Sequence, residues 1–454
     1  MALPDNPVIS TVTGKLDADL LSACIHCGLC LPACPTYQAT GRESESPRGR
    51  IYLLSLVEKG EIPFAGEAAE HIESCLGCLG CQTACPSGVR YEEILNQARP
   101  HLKRARPKLL RAALRFGFSQ ILPTYWFLIL GGKVFRAFQQ LIPIRAKAEE
   151  RQTVLAGMTA SPFLNRLKAY AAFVPGVPKY KPHPRRREPK TPGGQTMQLF
   201  SGCVMDVLYN QVNHATAKLL TMQGCPVERN DQTCCGALAF HAGEVDIARD
   251  LAKQNIERFK STDGKVVVTS AGCGAMLKEY AHLFAPDDPW HSRAEEFSKR
   301  VVDVVEVLSP DIISAQESVA GAGSSQLKAP ASSVAYHAAC HLAHAQGIHN
   351  EPKEILLQLQ EKLAEQGKNM KLVELREAEH CCGSAGIYNV INTELSLDVL
   401  NRKMENIEDT QAEVVVTTNP GCLLQLNAGA ELTNSPVKVM HLAEFVARAY
   451  SDLH

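Results

Sequence analysis

The chain's 454 residues, 45% of them hydrophobic and 21% charged, provide for about three domains at ~150 residues each and exclude a single small module, a disordered polymer or a multi-span membrane protein. Its 47 Lys and Arg against 48 Asp and Glu leave a formal net charge of -1, which gives no reason to expect a nucleic-acid partner. The 17 cysteines are too dilute for a disulfide scaffold and odd in number, so the information lies in how they cluster.

Residues 1–20 include Asp5, Asp17 and Asp19 and lack the basic and apolar regions of a secretory signal, which points to a cytoplasmic chain whose clustered thiols are metal ligands before they are disulfides. Next comes Cys24-Ile-His-Cys27-Gly-Leu-Cys30-Leu-Pro-Ala-Cys34-Pro35, which recurs 51 residues later as Cys75-Leu-Gly-Cys78-Leu-Gly-Cys81-Gln-Thr-Ala-Cys85-Pro86. This C-x2-C-x2-C-x3-C-P spacing is the bacterial ferredoxin run, in which three thiolates hold one face of a cubane and the fourth reaches the other cluster. The ligand groups that follow are Cys24, Cys27, Cys30 and Cys85 for one [4Fe-4S] cluster, and Cys34, Cys75, Cys78 and Cys81 for the other. Structural zinc is the competing reading, but zinc ribbons use two separated C-x2-C pairs. Gly28, Gly77 and Gly80 are expected to supply backbone bends around the clusters, and Pro35 and Pro86 the exit turns. Between the runs a short helix is predicted over residues 50–58, started at Ser46-Pro47. Arg48 and Arg50 at its start are candidates for stabilising reduced clusters, with a solvated helix start as the alternative.

From residue 94 to 148 there is no Asp or Glu, while Arg99, Arg106, Lys108, Arg111, Arg115 and Lys133 are among the basic residues. Residues 116–132 are uncharged, yet Gly117, Ser119, Gln120, Pro123, Gly131 and Gly132 argue against a membrane span. Two fates suit this basic, aromatic stretch: peripheral contact with an anionic membrane or a partner subunit, or packing on the protein's own core. A Pro-rich stretch with Arg185-Arg186-Arg187 follows and reads as an exposed linker up to residue 195.

The second half reads as an α/β pattern in two similar copies. Short β-rich runs over 197–202, 265–270, 333–337 and 412–418 are followed by Cys203, Cys273, Cys340 and Cys422, and helices are predicted over 245–260 and 351–366. Each copy also holds an adjacent pair, Cys234-Cys235-Gly236 and Cys381-Cys382-Gly383. Cys203, Cys234, Cys235 and Cys273 in one copy, and Cys340, Cys381, Cys382 and Cys422 in the other, are therefore candidates for a further iron–sulfur centre or a thiol redox site. The remaining Cys225 reads as a small buried apolar residue. His241, His337, His341, His344 and His380 lie near these sites as candidate ligands or proton donors, His380 foremost because it adjoins Cys381. The plan is α+β and multidomain. Residues 1–110 form an α-helical, ferredoxin-like domain with two [4Fe-4S] clusters, and 111–194 a helical, basic segment and linker. Residues 195–318 and 328–454 form two repeated α/β Cys-Cys-Gly domains. No G-x-G-x-x-G follows a strand and there is no P-loop, so the chain carries electron-transfer sites without a visible flavin or nicotinamide site.

The order of motifs resembles the family of iron–sulfur subunits that serve glycolate oxidase, anaerobic glycerol-3-phosphate dehydrogenase and lactate utilisation, together with the catalytic subunit of heterodisulfide reductase. Glu45-Ser46-Pro47-Arg48-Gly49-Arg50-Ile51, Cys381-Cys382-Gly383-Ser384-Ala385-Gly386 and Asn419-Pro420-Gly421-Cys422 are most similar to the glycolate oxidase branch. The resemblance implies a complex in which FAD-bearing partner subunits oxidise glycolate to glyoxylate and this chain passes electrons to a quinone-like acceptor, in the cytoplasm or on the cytoplasmic face of the inner membrane. A related lactate or glycerol-3-phosphate dehydrogenase subunit, a thiol or disulfide reductase, and a non-enzymatic iron–sulfur sensor are the competing readings. Cys273 and Cys422 lack the second cysteine of the C-x-x-C that closes each heterodisulfide reductase domain.

Overall fold

A computed structural model describes residues 16–141, 180–182, 184–188, 194–260, 264–308 and 327–450. The amino-terminal part is helical. Ser46 accepts a hydrogen bond from the Gly49 N–H (3.0 Å) and Pro47 fills the first turn, so the helix Pro47–Glu58 begins where a side-chain cap and a fixed φ coincide. The helix Tyr91–Ala105 opens with Glu92 and Glu93, whose charge suits its amino-terminal dipole. Ile51, Leu54, Ile72, Ile94 and Leu95 from these and the intervening helix Glu67–Glu73 meet in a small core.

The carboxyl-terminal part contains two sheets. The first holds β1 (Arg186–Arg187), β2 (Met197–Phe200), β3 (Val227–Arg229), β4 (Val266–Val268) and β5 (Val301–Asp303) in the order β1-β3-β2-β4-β5, parallel except for the antiparallel edge β1. The second holds β6 (Ser333–Tyr336), β7 (Lys371–Val373), β8 (Val414–Thr417) and β9 (Lys438–His441) in the order β7-β6-β8-β9, all parallel. Removing β1 leaves two sheets of one topology, so the sequence duplication is a duplication of fold. Side chains alternate across the first sheet as the period of two requires: Leu199 and Val267 enter a core shared with the second copy, whereas Phe200, Val266 and Val268 enter a separate core on the other face. The Arg185-Arg186-Arg187 run, expected in an exposed linker, instead adds the edge strand, with Arg186 paired to Glu228 (2.7 Å).

In each copy the first, second and third parallel strands in chain order are followed, three to eight residues on, by a cysteine, on the side where open α/β sheets build their sites. The adjacent pairs depend on the glycine that follows them. Gly236 and Gly383 adopt φ of +90° and +91°, and an added Cβ at Gly383 would lie 2.6 Å from the Ser396 carbonyl oxygen, against 3.3 Å from the Ala248 Cα at Gly236. Left-handed backbone alone costs a Cβ-bearing residue about 1–2 kcal/mol, and the main-chain overlap adds to it only at Gly383. Gly383→Ala is thus expected to lower the denaturation midpoint more than Gly236→Ala, and equal losses in a urea titration would count against the close approach.

Between the two parts, the helix Lys108–Phe116, the wide turn Gly117–Ile121 and the helix Tyr125–Leu141 lie against the first copy. Phe118 is buried in that copy's core, Leu114, Leu122 and Leu128 pack beside it, and Arg115 binds Asp246 (2.7 Å) and Glu244. The opposite face leaves Phe116, Trp126, Phe127, Leu130 and Val134 exposed. Packing on the protein's own core thus describes one face of this stretch, and the other face is exposed. Among the described residues no helix is long and apolar enough to cross a membrane.

Candidate metal centres

The two ferredoxin runs repeat in backbone conformation as well as in sequence. His26 and Gly77 occupy one equivalent position with φ of 54° and 62°, and Gly28 and Leu79 another with φ of 84° and 64°. Left-handed residues two apart turn successive N–H groups to one side, the nest that suits an anionic group, and the Gly77 N–H reaches the Cys75 Sγ at 3.4 Å. The bend expected at Gly80 falls on Leu79, and Gly80 instead opens the short helix Gly80–Thr83.

Cys34, Cys75, Cys78 and Cys81 line one narrow cavity with Arg50 and Tyr91. Three of these thiols come from the second run and one from the first. Burial pushes the Cys78 and Cys81 thiols well above their usual range, and neighbouring thiols push further; four thiolates can share this space only around cations, which fits a thiolate-bound metal cluster. Arg50 is 1% exposed beside them. It bonds Glu45 Oε2 (2.6 Å), the His71 carbonyl (2.6 Å), Thr36 Oγ1 (3.1 Å) and Ser74 Oγ (3.1 Å), and its Nη1 stands 4.0 Å from Cys34 Sγ. Arg48 is more exposed and serves the other loop, paired with Glu43 (2.6 Å) and donating to the His26 carbonyl (3.0 Å). In that loop Cys24 and Cys30 are half-buried against the helical core and Cys27 is exposed, and Cys85 from the second run is half-buried against the same core.

The Cys-Cys-Gly sites bring their four predicted thiols into rows. In the first copy Cys203 and Cys234 are 3.6 Å apart and Cys235 and Cys273 3.2 Å apart, near the ~3.8 Å that two thiolates span on one tetrahedral metal. Hydrogen bonds from Cys203 and Cys235 hold the Cys234 thiol well below its usual range. In the second copy Cys340 bonds Cys381, and Cys382 bonds Cys422. The Gly383 N–H meets Cys381 Sγ (3.4 Å), as the Gly236 N–H meets Cys234 Sγ (3.5 Å). Cys225 lies apart, half-buried before β3 with Gly194 against it.

The helical part docks on the second copy. Cys78 packs against Cys340 and Cys381, so the cavity and the second row of thiols are contiguous. Around this contact Tyr388 donates to the Ser74 carbonyl (3.0 Å), Asn392 to the Glu73 carbonyl (3.3 Å) and His380 to the Pro32 carbonyl (3.0 Å), while His344 bonds Thr83 (3.0 Å). His380, the foremost sequence candidate, is therefore a tether between domains. His341 places Nδ1 3.5 Å from Cys340 Sγ, and burial followed by the Arg99 charge pushes its pKa down to about 4. His241 accepts from Arg99 Nη1 (2.8 Å), its ring 5.4 Å from that of His341. Arg99 was not among the candidates, yet it closes over Gly77 as Arg48 does over Gly28, and it follows Arg48 at the same 51-residue period as the cysteines.

Comparison with known proteins agrees with this layout. The residues 20–89 match the 4Fe-4S dicluster domain, and 197–278 and 334–427 each match the cysteine-rich domain. The probable glycolate oxidase iron-sulfur subunit of Bacillus subtilis (strain 168) is 35% identical over 445 residues, covering 96% of this chain and 95% of that one. The chain belongs to the glycolate oxidase iron–sulfur subunit family. The Escherichia coli (strain K12) glycolate oxidase iron-sulfur subunit is 33% identical over 444 residues with the same coverage. Lactate utilization protein A of Geobacillus kaustophilus (strain HTA426) is 32% identical over 249 residues, 55% of this chain and 97% of its own. Membership in the glycolate oxidase iron–sulfur family thus rests on the whole length of the chain, and likeness to the lactate protein on about half.

Proposed function

We propose that this chain is the electron-transfer subunit of a flavin-dependent glycolate dehydrogenase, carrying electrons from FAD on partner subunits toward a quinone-like acceptor. Cys24, Cys27, Cys30 and Cys85 hold one [4Fe-4S] cluster, Cys34, Cys75, Cys78 and Cys81 a second, and the second Cys-Cys-Gly copy a further iron–sulfur centre. When bound, such clusters accept and release single electrons, the task a flavin leaves to them after taking a hydride. The observation that carries the reading is the packing of Cys78 on Cys340 and Cys381, which puts two thiol sets from distant parts of the chain in contact. The chain's own residues give this path its surroundings: Arg50 and Arg99 supply positive charge at the cavity, and Tyr388 and Leu76 exclude water from the junction.

The test is reconstitution. The isolated chain, prepared anaerobically, is expected to contain iron and sulfide, to bind no FAD and to leave glycolate unoxidised, with glycolate-dependent quinone reduction appearing when flavin subunits are added. Glycolate turnover by the chain alone would overturn the division of labour.

The exposed face of the helices Lys108–Phe116 and Tyr125–Leu141 is read as the part that meets an anionic membrane surface. Trp126 and Phe127 stack at 3.7 Å on it, and Lys108, Arg111 and Lys133 share the same acid-free stretch. Burying one such aromatic is worth about 1.5–3 kcal/mol, so the double change Trp126→Ser, Phe127→Ser should weaken flotation with anionic vesicles by roughly tenfold or more. Unchanged flotation, or loss of complex assembly instead, would assign this face to the protein's partners.

A further inference from the structure

Ser201 and His337 hold the same place in the two Cys-Cys-Gly copies, each being the first residue beyond its copy's central strand, β2 or β6. One is a hydroxyl and the other an imidazole. His337 is 0% exposed, and neither ring nitrogen makes a hydrogen bond of ordinary geometry, although the Ala378 main chain lies close enough to favour a ring N–H. Buried polar groups are rarely left in this state. What faces the ring is a pair of thiols: one donor atom each from His337, Cys382 and Cys422 lie within 4.8 Å of one another, all three residues buried. Lys403, 2% exposed, faces the same group and carries the positive charge that a row of thiolates attracts.

We propose that His337 is a nitrogen ligand of the iron–sulfur centre in the second Cys-Cys-Gly copy, alongside Cys382 and Cys422 in the row that includes Cys340 and Cys381. The inference rests on the reading of a further centre given above and names one of its ligands. Five donors exceed what one tetrahedral zinc takes, and thiolates with an imidazole suit iron–sulfur chemistry. The Ala378 main chain beside the ring is the group available as the outer partner that metal-bound histidines ordinarily have for the second ring nitrogen. A neutral imidazole brings no negative charge where a fifth thiolate would, so the centre takes up an electron more readily than an all-thiolate set of five donors. The first copy, with Ser201, has no such ligand.

Pulsed EPR on the anaerobic full-length chain, with and without 15N-histidine, tests the assignment beside iron, sulfide and zinc analysis. The expected result is iron beyond that of the two ferredoxin-type clusters and a nitrogen coupling on one reduced signal that changes with the label. His337→Ser, which copies the first domain, should abolish the coupling, and His337→Cys should keep the iron without the coupling and lower the midpoint of that signal. His341→Gln should leave the coupling in place, which separates ligation from a hydrogen bond to Cys340. Extra iron without a labelled coupling in the wild-type chain would overturn the role of His337 even where the variants fail to fold. Absence of extra iron, or zinc in its place, would overturn the underlying reading of an iron–sulfur centre in this copy.

Discussion

Cys78→Ser is expected to leave glycolate able to bleach the flavin of the reconstituted complex at close to the normal rate while quinone reduction falls by about 100-fold or more. Losing a ligand is more damaging than losing one of the outer partners whose removal already costs 10–100-fold in metal affinity. Cys78 is also the thiol that touches Cys340 and Cys381, so the substitution removes the junction as well as a ligand. Under the proposed division of labour, flavin reduction belongs to a partner subunit and precedes this point. Stopped-flow flavin spectra beside steady-state quinone reduction read the two steps separately. A parallel fall in both rates would mean that the change had disrupted the complex, and a normal quinone rate would mean that electrons bypass this cavity.

Arg50→Leu is expected to destabilise the helical part by about 3–5 kcal/mol, the cost of stranding one partner of a buried ion pair. The stranded partner is Glu45, whose side chain is 9% exposed and shares Arg50 with His71 and Ser74. Because a bound metal cluster is coupled to folding, the loss should appear as faster bleaching of the cluster absorbance in urea and a lower midpoint. The double change Arg50→Leu, Glu45→Leu should recover part of it, since replacing both members leaves no orphaned charge. A single variant as stable as the wild-type chain would show that the pair contributes nothing.

How much of this was legible in the sequence followed from the range of each interaction. The strands β4 and β8 were readable as runs of valine, and β2 and β6 as short, largely apolar runs, each with a cysteine three to five residues on. β3, β5, β7 and β9 were missed because each mixes charged with apolar residues over only three or four positions. The cysteine sets were visible because metal binding writes itself in local spacing. Their contact through Cys78 and Cys340 was not, because no local pattern encodes a pairing of residues so far apart in the chain. Arg99 carried a signal that would have found it, the 51-residue period applied to Arg48 as well as to the thiols. The places of the histidines were hidden for a related reason: adjacency to Cys381 put His380 first, and the fold turns its ring toward Pro32 and buries His337 near Cys382 and Cys422.

The hydrogen bonds that fasten the helical part to the second copy have an evolutionary corollary. Tyr388, Asn392 and His380 all grip main-chain carbonyls, those of Ser74, Glu73 and Pro32. A carbonyl is present whatever side chain the position carries, so the surface they hold is free to drift in sequence while the docking persists. The docking also fixes a geometry: the spacing between the cavity that holds Cys78 and the thiol row of Cys340 and Cys381 is set when the chain folds.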